Sequence, residues 1–150
     1  MAGRGRAGRL SDSGIHQSSS PEDTAKLADW LAQKLVPGDI VAFFGDLGSG
    51  KTTFIRSLAA SCAQVAPESV CSPTFQYLNV YTGPLPIYHF DLYRLTGPDD
   101  FFQMGFEEIL HGQGVSCIEW AERIEDSLPE GTIRIYMKHV EENRRQIEIL

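Results

Sequence analysis

The sequence has few cysteines and no paired cysteine motif. Its three cysteines are Cys62, Cys71 and Cys117, and none of them forms a C-x-x-C pair with another. An odd number of isolated cysteines argues against a disulfide framework and against a zinc knuckle. The pattern favours a reducing compartment, and we expect a cytoplasmic protein.

Long apolar runs and a basic body are also lacking. No apolar stretch approaches the roughly 20 residues of a membrane-spanning helix, and no apolar signal-peptide core lies near the start, so we expect no membrane association. The net charge of the 150 residues is −7; three arginines and one aspartate give residues 1–20 a charge of +2, which leaves −9 for the remainder. Nucleic-acid affinity depends on neutralising phosphates, so such an acidic body predicts that a partner protein holds any nucleic acid.

One motif is specific enough to predict a ligand. Residues 40–44 are an apolar run typical of a buried strand, and residues 45–52 then match G-x-x-x-x-G-K-[ST]. In this phosphate-binding loop, backbone N–H groups surround the phosphates, the lysine reaches the β- and γ-phosphates, and the hydroxyl joins the Mg²⁺ shell. The strand before it and the helix pattern after it favour this interpretation over a chance match. The residues expected to bind the nucleotide are Asp46, Gly48, Ser49, Gly50, Lys51, Thr52 and Thr53.

Missing motifs narrow the nucleotide chemistry. The guanine-specifying N-K-x-D motif is absent, which favours ATP over GTP, and so is the Ser-Gly-Gly signature of transporter ATPases. The arginines after residue 90 are scattered and do not resemble the lid that a small-molecule kinase closes over its acceptor. ATP hydrolysis as a switch is therefore the more economical hypothesis. A small-molecule kinase and a nucleotide-dependent scaffold without turnover are the alternatives.

Helix and strand patterns alternate after Ser20, which is a helix N-cap followed by Pro21. Strand patterns at 75–81 and 85–90 predict a hairpin, and further strands are predicted near 115–120, 132–140 and 146–150. We therefore predict one P-loop ATPase domain over residues 20–150. Its expected fold is α/β, a P-loop NTPase sandwich whose mixed sheet has a parallel centre, antiparallel additions and helices on both faces.

The first 19 residues have a different composition. They are rich in Gly, Arg and Ser, and their apolar residues are isolated. We predict that residues 1–19 form a disordered basic extension. An organellar transit peptide and an RNA-contacting tail are the alternatives that this composition leaves open.

Two acids end predicted strands and would share one edge of the sheet with the phosphate loop. Glu119 fits the metal-side acid that such a loop needs, and a solvated acid at a strand end is the alternative. Asp91 is a candidate for holding or orienting a water; the alternative is a salt bridge to Arg94, with His89 packed between aromatic rings. Thr74 is a candidate switch-loop hydroxyl, although a turn-stabilising threonine is the plainer interpretation.

Four segments together resemble one protein family. They are residues 45–54 (GDLGSGKTTF), 72–75 (SPTF), 88–95 (YHFDLYRL) and 118–120 (IEW). In wording and order they are similar to the bacterial TsaE family, also called YjeE, the ATPase of tRNA threonylcarbamoyladenosine synthesis. The likeness covers roughly residues 20–150. Segments 88–95 and 118–120 are specific to that family. Ser49 stands where the family usually has alanine.

The resemblance implies a function and a set of roles. It implies an ATPase that binds ATP and Mg²⁺, is slow alone, and acts with the TsaB and TsaD proteins to reset their complex between turnovers. Contact with tRNA would be only indirect, through that complex. By matching residues, Lys51 and Thr52 contact phosphate and Mg²⁺, and Glu119 is the Mg²⁺ acid. The other implied positions are Asp91 as a catalytic residue with Lys51 and Glu119, Thr74 in a loop toward nucleotide or partner, and Thr24 near the adenine.

Overall fold

The computed structural model describes residues 14–45, 50–73 and 75–150. The strands in these ranges are β1 (Gly14–Ser18), β2 (Ile40–Phe44), β3 (Leu78–Tyr81), β4 (Ile87–Asp91), β5 (Val115–Glu119), β6 (Ile133–Glu141) and β7 (Arg144–Ile149). The helices are α1 (Pro21–Ala32), α2 (Lys51–Cys62), α3 (Pro98–Gln103) and α4 (Phe106–Leu110), with 3₁₀ segments at Pro67–Ser69 and Ala121–Ser127. None of these helices has the length and apolar content to cross a bilayer.

The strands form one mixed sheet in the order β1-β7-β6-β2-β5-β4-β3. The central strands β6, β2, β5 and β4 are parallel to one another, whereas β7, β1 and β3 are added antiparallel to their neighbours. The predicted parallel centre with antiparallel additions is confirmed. Because β2, β4 and β5 run the same way, their carboxyl ends meet at one edge, where Asp91 pairs in register with Glu119.

The sheet builds a hydrophobic cluster on each of its faces. All five residues of β2 are buried, and alternate side chains point to opposite faces. Phe43 packs with Leu58 and other residues of α1 and α2. Phe44 packs in the second cluster, which includes Phe101 of α3 and residues of α4 and the Ala121–Ser127 segment. The predicted placement of helices on both faces is therefore confirmed.

Helix α1 begins as its sequence predicts. The Ser20 hydroxyl accepts a hydrogen bond from Asp23 N at 3.0 Å, and Pro21 occupies the first helical position. Thr24, in the first turn, is 3% exposed, and its hydroxyl lies 2.7 Å from the Ser18 hydroxyl. This buried pair joins the start of α1 to the end of β1.

The predicted disorder of residues 1–19 is wrong for residues 14–18, which form β1 and pair antiparallel with β7. No buried alternation reveals this strand in the sequence, because its apolar residue Ile15 is 61% exposed. Main-chain hydrogen bonds to β7 form it instead, and these do not depend on side-chain pattern. Residues 1–13 lie outside the described part of the chain.

The strand predicted over 75–81 begins three residues later, at Leu78. The N–H groups of Gln76 and Tyr77 both donate to Pro73 O, at 3.1 and 2.7 Å, which makes a turn. Phe75 is 77% exposed, and Tyr77 has a positive φ of 65°. Aromatic residues favour strands where their side chains can pack on a half-buried surface. The exposed Phe75 ring has little such surface, so the aromatic composition was misleading.

Candidate nucleotide-binding site

The start of α2 forms one wall of the candidate site. Gly50 precedes it with φ 102°, a left-handed conformation that glycine adopts without strain. Lys51, the first residue of α2, is 5% exposed. Its Nζ donates to Gly45 O at 2.6 Å and lies 4.4 Å from the centroid of the Trp120 ring. The ammonium group is therefore held between the first residue of the phosphate-loop motif and the end of β5.

Glu119, the last residue of β5, forms the opposite wall and is 4% exposed. Its Oε1 accepts a hydrogen bond from Thr52 Oγ1 at 3.3 Å. Its Oε2 accepts one from Ser72 Oγ at 2.9 Å and lies 2.6 Å from His89 Nε2. Thr52 Oγ1 and Ser72 Oγ are themselves 3.2 Å apart. The carboxylate is bonded, not merely solvated, so the hypothesis of a solvated strand-end acid is wrong.

The pKa of the Glu119 carboxyl lies below its ordinary value of 4.5. Burial acts in the opposite direction and raises the pKa, because the carboxylate anion loses water. The hydrogen bonds with His89 and Ser72 and the positive charge of Lys51 outweigh burial. Glu119 is therefore an anion at neutral pH, the state that a cation requires of its ligand.

Asp91 stands beside Glu119 at the end of β4 and is also 4% exposed. Its Oδ1 accepts a hydrogen bond from Tyr93 N at 3.0 Å, which fixes the carboxylate against the turn that follows β4. The Arg94 guanidinium lies 4.3 Å from the centroid of the Phe75 ring. His89 is bonded to Glu119 and so is not merely packed between aromatic rings.

Two adjoining cavities open at this edge of the sheet. The larger, about 570 Å³, contains both acids and the start of α2. Gly50, Thr53 and Arg145 line it and also line a second cavity of about 160 Å³. Thr24 lines the second cavity, at the start of α1. A site of this combined size suits a cofactor-sized ligand with an extended shape.

The structure brings most of the predicted site residues together. Those that line the two cavities are Thr24, Gly50, Lys51, Thr52, Thr53, Asp91 and Glu119. The remaining predicted residues, Asp46, Gly48, Ser49 and Thr74, lie outside the described part of the chain. Every predicted site residue that the structure describes therefore lines one of the two cavities at this edge of the sheet.

The site also contains residues that the sequence prediction did not include, among them Ser72, His89, Trp120 and Arg145. Two of them had a usable signal. His89 alternates with Asp91 along β4, so both point to the same face. Arg145 likewise alternates with the buried residues Ile147 and Ile149, a charge at a position where an apolar residue is expected. Ser72 and Trp120 lie in the segments 72–75 and 118–120 that carry the family resemblance, but no alternation of side chains marks them.

The residues present fit a magnesium ion. Mg²⁺ prefers oxygen ligands and is commonly bound by one or two protein groups together with the phosphates of a substrate. The Thr52 hydroxyl and the Glu119 carboxylate are such oxygen donors, 3.3 Å apart at the start of α2. The anionic state of Glu119 completes the chemical match.

The fold and the site define the class of the protein. A strand, a phosphate-loop motif and a helix lead into a mixed sheet whose neighbouring strands end in acids, which is the P-loop NTPase type of α/β fold. The family model described as "Threonylcarbamoyl adenosine biosynthesis protein TsaE" matches residues 18–147. The chain therefore belongs to the TsaE family of tRNA threonylcarbamoyladenosine biosynthesis, as the sequence resemblance predicts.

Relatives and a solved structure agree with this assignment. The chain is 39% identical to the TsaE protein of Treponema pallidum over 132 residues, covering 88% of this chain and 96% of the relative. It is 40% identical to that of Bacillus subtilis over 129 residues, covering 85% and 79% respectively. The crystal structure of Bacillus subtilis YdiB superposes with a TM-score of 0.73 at 34% identity, covering 90% of this chain and 82% of that one.

Proposed function

We propose that this protein binds ATP with Mg²⁺ and hydrolyses it, and that hydrolysis resets a TsaB–TsaD complex between turnovers of tRNA threonylcarbamoyladenosine synthesis. Hydrolysis by the chain alone is slow. The observation that carries the proposal is the convergence of Lys51, Thr52 and Glu119 on one cavity at the carboxyl edge of the sheet. A cation, a hydroxyl and a buried anion are the groups that a Mg²⁺–triphosphate requires.

Each wall of the site has a distinct part in this proposal. Lys51 binds the β- and γ-phosphates, and the backbone of the phosphate-loop motif surrounds them. Thr52 and Glu119 hold the cation, which neutralises charge on the phosphates when it is bound. Asp91, fixed by Tyr93 N, orients the attacking water. The smaller cavity beside Thr24 and Arg145 receives the nucleoside end.

The surroundings of the site support a partner-dependent role. The net charge of −7 supports an indirect contact with tRNA. The acidic body would repel the phosphate backbone of a tRNA unless a partner protein held the tRNA. The three cysteines are unpaired, which supports a cytoplasmic, reducing location. The TsaB and TsaD proteins are the proposed partners because the family acts in the same modification pathway.

The deciding experiment compares ATP hydrolysis by the full chain alone with hydrolysis in the presence of purified TsaB–TsaD. Phosphate release is measured, with TsaB–TsaD alone and the Lys51→Ala chain with TsaB–TsaD as controls. We expect the pair to stimulate the wild-type chain by at least about tenfold, because a partner can supply transition-state contacts that an isolated switch ATPase lacks. The Lys51→Ala chain should remain at background.

The two alternative functions make different predictions in the same experiment. A small-molecule kinase would transfer phosphate to a metabolite and release little free phosphate. A scaffold without turnover would bind ATP and TsaB–TsaD yet show no hydrolysis above background. Either result would overturn the proposed ATPase function.

A further inference from the structure

His89 is the most buried polar residue at the site, with no exposed surface. It lies opposite Cys117 in the pairing of β4 with β5, while Asp91 lies opposite Glu119. His89 and Glu119 are therefore diagonal neighbours on one face of two parallel strands. The 2.6 Å separation of His89 Nε2 from Glu119 Oε2 is the shortest of the contacts described above for this carboxylate.

The two oxygens of Glu119 have different surroundings. Oε2 is bonded by both His89 and Ser72, at 2.6 and 2.9 Å. Oε1 faces the start of α2 and is bonded there only weakly by Thr52, at 3.3 Å. A carboxylate held by one oxygen has a fixed rotamer and can present the other oxygen to a ligand. Oε2 of Glu119 is therefore the anchored oxygen, and Oε1 is the oxygen that can contact a ligand.

The second nitrogen of His89 indicates which atom carries the proton. Nδ1 is buried and has no hydrogen-bond partner among the described residues. A proton on Nδ1 would leave a buried donor unpaired and would set a bare Nε2 against a carboxylate oxygen, two acceptors face to face. With the proton on Nε2, the ring donates to Glu119, and Nδ1 is left as an unpaired acceptor while no buried N–H of the ring lacks a partner. The surroundings therefore select the Nε2–H tautomer.

We propose that His89 is the positioning residue of the cation site: its Nε2–H holds Glu119 Oε2 so that Oε1 is aimed at the cation beside Thr52. This inference rests on the proposed Mg²⁺–ATP function. His89 itself touches neither nucleotide nor cation. Partners that orient a metal ligand in this way commonly change metal affinity by about 10- to 100-fold when removed.

The test measures ATP binding, not activity, in Mg²⁺ and in EDTA, using a fluorescent ATP analogue. The ratio of the two affinities is the gain due to Mg²⁺. We expect His89→Leu to reduce this gain by about tenfold or more while changing the affinity in EDTA by less than about twofold. His89→Gln, whose amide can donate near the position of Nε2, should retain most of the gain. Ser116→Ala is the matched control, because Ser116 is buried in β5 but lies on the opposite face from Glu119.

A second measurement leaves His89 unchanged and so does not depend on how a His89 variant folds. The ring ¹⁵N shifts of His89 in the nucleotide-free wild-type protein should report the Nε2–H tautomer, and Glu119→Gln should shift the Nε2 signal. An Nδ1–H tautomer would overturn the proposal, as would a His89→Leu protein with the full Mg²⁺ gain. A wild-type protein that gains nothing from Mg²⁺ would instead contradict the proposed function itself, and the role of His89 with it.

Discussion

Asp91 and Glu119 end neighbouring parallel strands, pair in register and are equally buried, yet their surroundings differ. Glu119 is bonded by side chains from three other segments: Thr52 of α2, Ser72 of the following loop and His89 of β4. The hydrogen bond described above for Asp91 comes from the backbone of its own turn, at Tyr93. The two acids occupy equivalent positions at the sheet edge, but the groups around them differ, and so does the chemistry of the two carboxylates. In the proposed function cation binding belongs to Glu119, which has the Thr52 hydroxyl beside it, and water orientation belongs to Asp91.

The largest effect should come from Lys51, the residue that binds the phosphates in the proposed function. Lys51→Ala removes the cation at the start of α2, so the phosphates lose their charged partner in a buried site. We expect ATP affinity, measured by calorimetry with Mg²⁺, to fall by about 100-fold or more. Lys138→Ala removes an exposed lysine of β6 and is the matched control. If Lys51→Ala bound ATP normally, the phosphates would not lie at the start of α2, and the comparison of the two acids beside it would have no basis.

The next effect separates the two acids directly. Glu119→Gln should lower the hydrolysis rate by about 100-fold and raise the half-saturating Mg²⁺ concentration, because it removes the anionic cation ligand. Asp91→Asn should lower the rate by about tenfold with the half-saturating Mg²⁺ concentration unchanged, as expected for a residue that orients water. Both are measured as hydrolysis against Mg²⁺ with TsaB–TsaD present. Equal Mg²⁺ dependence in the two variants would erase the distinction between the acids.

A smaller effect tests how firmly Glu119 is anchored. Ser72→Ala removes one of the two hydrogen bonds that hold Oε2, while the bond from His89 remains. We expect the half-saturating Mg²⁺ concentration to rise by only about fivefold, less than in His89→Leu. Ser69→Ala removes an exposed hydroxyl in the nearby 3₁₀ segment and is the control. A Ser72→Ala effect larger than that of His89→Leu would reverse the assigned order of the two anchors.

The smallest effect concerns the pH dependence of stability. The pKa of Glu119 is lower in the folded protein than its ordinary value of 4.5. Its contribution to the free energy of unfolding is therefore complete above about pH 4.5 and is lost as the pH falls through the lower folded-state pKa. Urea unfolding between pH 6 and pH 3 should show a smaller loss of stability for Glu119→Gln than for the wild-type protein. An identical loss would mean that the anchoring groups do not stabilise the carboxylate anion.

The sequence predicts the sheet edge well because its signals are local. The run at 40–44, the glycine-rich motif and the acid after residues 115–118 each specify an element and its end. Features that depend on a partner segment were missed. Strand β1 forms because it pairs with β7, and residues 75–77 turn because Pro73 O accepts hydrogen bonds from the N–H groups of Gln76 and Tyr77.

The same distinction applies to the candidate site. Lys51, Thr52 and both acids were predicted from motif and strand-end position. The bond from His89 to Glu119 joins residues 30 apart, and the bond from Ser72 joins residues 47 apart. No periodicity within one segment can report such a bond, because it depends on the register between β4 and β5 and on the path of the loop after α2. The strand-end positions of both acids were predictable, whereas the bonds that distinguish Glu119 from Asp91 were not.

The most direct measurement of that distinction is a crystal structure of the protein with a non-hydrolysable ATP analogue and Mn²⁺ in place of Mg²⁺, with the ion located by anomalous diffraction. The account predicts one peak in contact with the Thr52 hydroxyl and the Glu119 carboxylate, next to the phosphates, and His89 still bonded to the other Glu119 oxygen. A peak coordinated by Asp91 with Glu119 uninvolved would contradict it.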